Sequence, residues 1–334
     1  MQIPQPYLLF LGDVTDPLSA KTAKGVLHWR PELCTGQLRL NAETVSLGIA
    51  DLSLQEAKLR GAKTLVIGTA NAGGYIPQTW LQTLQEALER GFNIASGMHQ
   101  RLTGFPSLVT AASIHQCKLF DVRHYDHPLR IGNGKPRPGK RLLTVGTDCS
   151  VGKMYASLAL EKEMSRQGLN THFRATGQTG ILISGTGISV DAVVADFISG
   201  AAEQISAAFT DHDWDVIEGQ GSLLNPSFAG VSLGLLHGSQ PDALVLCHEI
   251  GRTHTRHLPH MPVPAIQATL DANYTAAKLT NSSAEFVGIC LNTSAIDEEQ
   301  AFTLCRQWEQ EYNLPVTDPV RFGISCIVDK LHAI

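Results

Sequence analysis

The chain has 334 residues, 43% of them hydrophobic and 17% charged, and a formal net charge of −5. That length allows a large buried core divided over two domains, and an acidic balance without basic runs excludes the concentrated positive face that nucleic-acid binding requires. The longest apolar stretches, 243–247 and 287–291, fall far short of the roughly 20 residues that span a bilayer, so no membrane partner is expected.

In chain order, MQIPQPYLLFLGD lacks the basic start of a secretory leader and reads as a first strand. The runs YLLFLG (7–12), KTLVIG (63–68) and FNIASG (92–97) are strand-like, with helical periodicity between them, clearest in PQTWLQTLQEALERG (77–91). Residues 124–141, HYDHPLRIGNGKPRPGKR, are rich in Pro, Gly and basic residues and read as a linker, which sets the domains at 1–130 and 131–334. Beyond it come RLLTVG, the helix MYASLALEKEMSRQG, NTHFRATG, the helix DAVVADFISGAAEQISAAF, the strand-like WDVIEG, DALVLCHE, PAIQATL and FVGICLN, and the helix DEEQAFTLCRQWEQEY. Apolar strands alternating with amphipathic helices predict α/β domains built on parallel sheets. The seven scattered cysteines suit a reduced cytoplasm better than a disulfide framework.

In parallel sheets ligands gather beyond the carboxyl ends of the strands. The first such loop of the second domain, GTDCSVGKM (146–154), follows a strand and opens a helix, as a phosphate-binding loop does. Gly146, Thr147, Asp148, Cys149, Ser150, Val151, Gly152, Lys153 and Met154 are therefore candidate cofactor-binding residues. Five residues separate Gly146 from Gly152, one more than the usual pattern, and Met154 stands where a hydroxyl normally follows the lysine.

The spacing resembles dethiobiotin synthetase and its relatives, as do EGQGS (218–222) and GICLN (288–292). A closer resemblance covers almost the whole chain. NAGGYIP (71–77), SGMH (96–99), GTDCSVGKM, DFISGAAE (196–203), EGQGS and LPVTDPVR (314–321) are similar to a family of two-domain proteins that includes the D-glutamate N-acetyltransferases. That resemblance implies a Rossmann-like N-terminal domain, a C-terminal P-loop NTPase-like domain, acetyl-CoA as donor and an acidic amino acid as acceptor. The synthetase resemblance implies that Asn292 contacts an adenine, the alternative being a turn cap.

A thioether cannot serve a hard cation, so Met154 weakens the case for magnesium-dependent ATP cleavage and no metal is expected. Lys153 and the loop amides can still anchor the phosphates of coenzyme A.

Acetyl transfer to an amine needs a base, oxyanion donors and a fixed thioester. Glu218, at the end of an apolar strand, is the first candidate base, the alternative being a Walker B-type acid. Cys149, beside Lys153 in an anion loop, is a candidate acyl carrier if its thiol is acidified. CHEIGRTHTRH (247–257) offers Arg252 as a clamp for a carboxylate or phosphate and His254 as a reserve base. RATGQTG (174–180) offers Arg174 and Gln178 as acceptor contacts, a guanidinium suiting a carboxylate well. In the first domain, GTANAGGYIP (68–77) is a weak dinucleotide signal, and His99 stands at a strand end as a base or carboxylate partner.

The sequence thus predicts an N-acetyltransferase acting on D-glutamate or a similar small acidic amino acid, as a homo-oligomer. The alternatives are an ATP- and Mg-dependent ligase or kinase, and a nucleotide-binding regulator without turnover.

Overall fold

The computed structural model describes residues 2–17, 19–70 and 73–332. The first run of elements is β1 (Tyr7–Gly12), α1 (Lys21–Trp29), β2 (Cys34–Arg39), α2 (Leu54–Leu59), β3 (Thr64–Ile67), α3 (Leu81–Glu89), β4 (Asn93–Ser96), α4 (Pro106–Ile114) and β5 (Leu119–Asp121). Then come β6 (Lys140–Gly146), α5 (Lys153–Arg166), β7 (Thr171–Arg174), α6 (Gln178–Ser184), α7 (Ile198–Ile205), β8 (Trp214–Ile217) and α8 (Ala229–Ser239). The chain ends with β9 (Ala243–Glu249), α9 (Ile266–Lys278), β10 (Glu285–Asn292), α10 (Glu298–Tyr312), β11 (Val316–Thr317) and α11 (Ser325–Leu331). No helix among the described residues is long and apolar enough to cross a membrane.

Two compact units result, the first comprising residues up to Asp126 together with 177–192, the second His127–Thr176 and the chain from Val193 onward. The first unit carries five parallel strands in the order β2-β1-β3-β4-β5, a doubly wound arrangement. All six residues of β1 are buried, because a central parallel strand is covered on both faces and reads as continuous apolar sequence. Trp80 packs edge-on against Phe10, with ring centroids 5.3 Å apart, while its indole N–H donates to Asp13 at 2.8 Å. A capping box between Ser53 and Glu56 starts α2.

Residues 177–192, expected within the 131–334 domain, group instead with the first unit. The amide of Ile3 donates to the carbonyl of Gly185 at 3.0 Å. Gly97 lies so close to Gln178 that a Cβ at position 97 would fall 2.9 Å from that side chain.

In the second unit six parallel strands run β11-β10-β9-β6-β8-β7. Strand β6 is flanked by β8 and β9, so the loop that follows it lies between the loops that follow those two strands. This is the switch point where doubly wound sheets place their ligands. Leu142, Leu160, Met164, Val216 and Val245 fill the core beneath. The linker is bound to this unit. Glu203 accepts from the amides of Asn133 and Gly134, both at 2.9 Å, and half-buried Arg137 donates to Ser206 O at 2.8 Å and Gly238 O at 2.7 Å.

Two expected elements differ. PAIQATL is not a strand but the start of α9, where Ile266, Leu270, Asn273 and Ala277 are buried at helical spacing. The long helix expected over 191–209 breaks into short 3-10 turns at Val190–Ala192 and Ala195–Phe197 before α7, with Val194 in extended backbone. Consecutive β-branched Val193 and Val194 favour that break. Strand β2 escapes sequence reading because its CTGQLR is largely polar and only Gly36 and Gln37 are buried.

Candidate functional site

The loop between β6 and α5 is built on a tight backbone. Ser150 adopts φ +56° and Gly152, at the helix N-cap, φ +106°, a left-handed conformation that glycine tolerates best. No side chain caps α5, so its first amides open onto the loop. Lys153 is buried at 6% exposure, and its Nζ donates to the carbonyl of Asp148 at 2.8 Å. Among the described residues this is the one hydrogen bond of that ammonium, which leaves two N–H groups for a ligand. Burial drives the lysine's pKa down, against the pull of Cys247, Cys149, Asp148 and Glu218. An anion brought to such a desolvated cation stabilises it.

The side chains of the loop mostly turn inward. Val151 is 1% exposed in the core. Buried Thr147 donates its amide to Cys247 O at 3.1 Å and pairs its hydroxyl with His248 Nδ1 at 3.0 Å. Asp148 accepts from Asn225 Nδ2 at 2.8 Å, from Arg252 Nη1 at 2.9 Å and from the amide of Arg256 at 2.6 Å. Burial alone would raise its pKa, but these hydrogen bonds outweigh it and hold the carboxyl below its usual range. A ligand here meets backbone and Lys153, not the side chains of Thr147, Asp148 or Val151. Half-buried Met154 presents a thioether where the next helical residue would offer a hydroxyl.

Glu218 follows β8 and is 4% exposed. Its carboxylate accepts the amide of Thr176 at 3.0 Å, and its own amide donates to Arg174 O at 3.0 Å. Gly219 passes so close to β6 that a Cβ would fall 1.7 Å from Thr144 O. Its amide donates to the hydroxyl of Thr144 at 3.0 Å. This contact brings Glu218 to the foot of the phosphate loop, within electrostatic reach of Lys153. Among the described residues no cluster of three or more His, Cys, Asp or Glu is placed to hold a metal ion.

Residues 130–328 match the DUF1611 P-loop domain, a domain of unknown function, and residues 37–125 match its Rossmann-like N-terminal counterpart. The chain belongs to the DUF1611 family. A DUF1611 protein from Anabaena variabilis has a crystal structure that superposes with a TM-score of 0.86 at 33% identity, covering 99% of this chain and 100% of that one. Two curated relatives are named D-glutamate N-acetyltransferase. One, from Pseudoalteromonas sp, is 54% identical, and the other, from Tritonibacter scottomollicae, 48%; each match covers 99% of this chain and 100% of the relative.

Within this DUF1611 chain the remaining expected residues fall in different places. Arg252 is not a free clamp: its guanidinium is committed to Glu249, Asp148 and the carbonyls of Cys149 and Ser150. Arg174 donates its Nε to fully buried Asp215 at 2.6 Å, which ties that guanidinium to the sheet. The thiol of Cys149 is pushed up by burial, with Lys153 only partly opposing, the reverse of the acidification an acyl carrier needs. His254 is exposed and pairs with Thr253 Oγ1 at 2.9 Å. Asn292 accepts from Ser294 N at 3.2 Å, capping a turn.

His99 and Gln178 belong to the first unit. The carbonyl of His99 faces His124 Nε2 at 3.0 Å, and burial with neighbouring Arg123 pulls its imidazole pKa down. Of the glycine-rich 68–77 stretch, Asn71 and Ala72 lie outside the described residues. Sequence reading gave no role to Asn225 or to Ser222, which donate to Asp148 and to Thr147 O; the EGQGS motif that Ser222 closes was the available signal. In the LPVTDPVR motif the aspartate braces neighbouring backbone. Buried Asp318 accepts from the amide and hydroxyl of Thr293 at 3.0 and 2.6 Å and from Val320 N at 2.9 Å.

Proposed function

We propose that the chain is an N-acetyltransferase that moves acetyl from acetyl-CoA to the amino group of D-glutamate or a closely similar amino dicarboxylate. Identity of 54% over the full length of a D-glutamate N-acetyltransferase carries this reading. The donor set of the loop fits the co-substrate: backbone amides, an uncapped helix start and buried Lys153 suit phosphates that are gripped but not transferred. The thioether of Met154 in place of a hydroxyl suits binding without magnesium.

In this scheme residues 146–153 hold the donor's phosphates. Glu218 takes a proton from the acceptor's ammonium group. The freed amine attacks the thioester carbonyl carbon, the C–N bond forms as the C–S bond breaks, and the second proton lost by the nitrogen goes to the departing sulfur, which leaves as the free thiol. Glu218 suits the role because the Thr176 amide fixes its orientation. We assign the work to the cytoplasm, where seven free cysteines are at home, and to a homo-oligomer acting on small molecules.

The test is release of free thiol from acetyl-CoA with a panel of D- and L-amino acids, with and without EDTA. Release with acidic acceptors, indifferent to the chelator, is expected; phosphate release from ATP that requires magnesium would replace this reading with the ligase or kinase. Lys153→Ala should raise the KM for acetyl-CoA by about 10- to 100-fold, and an unchanged value would remove the loop from donor binding.

A further inference from the structure

Four consecutive carbonyls of the loop are held by side chains. Ser222 Oγ donates to Thr147 O at 3.1 Å, Lys153 Nζ to Asp148 O at 2.8 Å, and Arg252 Nη1 and Nη2 to Cys149 O and Ser150 O at 2.7 and 3.3 Å. Arg252 spends its other donors on Glu249 and on Asp148. In a trans peptide the carbonyl of one residue and the amide of the next point in opposite directions. Holding the oxygens of residues 149 and 150 therefore fixes the N–H groups of Ser150 and Val151 on the far side, as an anion nest requires. The same grip secures Ser150 at φ +56°, a backbone region where a residue with a side chain persists only when its surroundings impose it.

We propose that Arg252 is a positioning residue for the phosphate loop: it touches neither substrate, and by holding the 149 and 150 carbonyls with Asp148 it sets the amides that grip the donor's phosphates. This rests on the reading of the loop as a phosphate cradle. Glu249, half-exposed behind it, aims the guanidinium; Asn225, on the other side of Asp148, keeps that carboxylate in register.

The test uses the full chain with Arg252→Lys, which keeps the charge but not the five-way fork, and Glu249→Gln, which weakens the outer anchor of the guanidinium while leaving its bonds to Asp148 and the loop carbonyls in place. Three readouts are taken: hydrogen exchange of amides 148–154 without ligand, calorimetric binding of inorganic pyrophosphate, and the KM of each substrate. For Arg252→Lys the loop amides should exchange at least about tenfold faster. Pyrophosphate affinity and the KM for acetyl-CoA should each worsen by about 10- to 100-fold, with the acceptor's KM little changed. Glu249→Gln should shift all three in the same direction by less.

Unchanged loop exchange in both variants, or a rise confined to the acceptor's KM, would overturn the assignment. A variant that merely lowers the melting temperature with exchange, pyrophosphate affinity and both KM values intact would do so too. Faster exchange and weaker pyrophosphate binding with an unaltered KM for acetyl-CoA would leave the positioning role standing and remove the coenzyme A reading.

Discussion

Glu218 and Thr176 hold each other at two points: the amide of Thr176 donates to the glutamate's carboxylate at 3.0 Å, and the threonine hydroxyl donates to the glutamate's own carbonyl at 2.6 Å. The side chain and backbone of one residue are thereby fixed by its neighbour on the adjacent strand's loop. Glu218→Gln keeps the size and an acceptor oxygen for the Thr176 amide, so the fold should survive. The loss should fall on turnover, with kcat lower by about 100- to 10,000-fold and the KM for acetyl-CoA nearly constant. Steady-state thiol release reads both, and an unaltered kcat would dismiss Glu218 as the base.

Burial works against an acyl-enzyme at position 149. With its thiol pKa raised, Cys149 holds less thiolate at neutral pH than a free cysteine does. Cys149→Ser should leave kcat within about an order of magnitude of the parent, and iodoacetamide should modify this thiol more slowly than free cysteine at pH 7. A trapped acetyl-thioester in quenched reactions, absent from Cys149→Ser, would reverse that conclusion.

His248 makes the fold acid-sensitive. Its imidazole, against Thr147 and within 5.6 Å of the Trp308 ring, is held neutral by burial and by Arg252, with its pKa pushed down from 6.5 to about 4. Between those values the unfolded chain binds a proton that the folded chain refuses, so stability is complete above pH 6.5 and drains as the pH falls toward 4. The full effect is up to about 3 kcal/mol. Urea unfolding at pH 7 and pH 5 should show this loss, and His248→Asn should flatten it. An equally steep decline in the variant would place the acid sensitivity elsewhere.

The near-contact between Gly219 and β6 leaves no room for a methyl group. Gly219→Ala must drive its Cβ into the Thr144 carbonyl, a backbone atom that cannot rotate aside. Destabilisation of about 3 kcal/mol or more is expected, seen as a lower urea midpoint or as insoluble protein. Wild-type stability in this variant would contradict the close approach that brings Glu218 to the loop.

What the sequence made legible was local. A strand, a glycine turn, a lysine and a helix follow one another in residues 140–166, so both the loop and its flanking elements could be read directly. The partners of that loop could not be. Asp148 and Arg252 lie 104 residues apart, and no spacing rule joins them; read alone, each is a charge available to a ligand, whereas together they are a brace. Arg174 met the same fate, since its partner Asp215 sits inside an apolar strand. PAIQATL was too short for its period to declare itself before the buried positions of the later turns were known.

Because residues 177–192 group with the first unit, the polypeptide passes between the two units at 126/127, 176/177 and 192/193. A fragment ending at Asp126 would hold all five strands yet leave the Ile3 amide and the flank of Gly97 uncovered. On the ribosome the N-terminal half cannot be finished until β6, the loop and β7 of the other half have already emerged. For the same reason a single recombination point cannot exchange one whole unit for a homologue's without also cutting into the other.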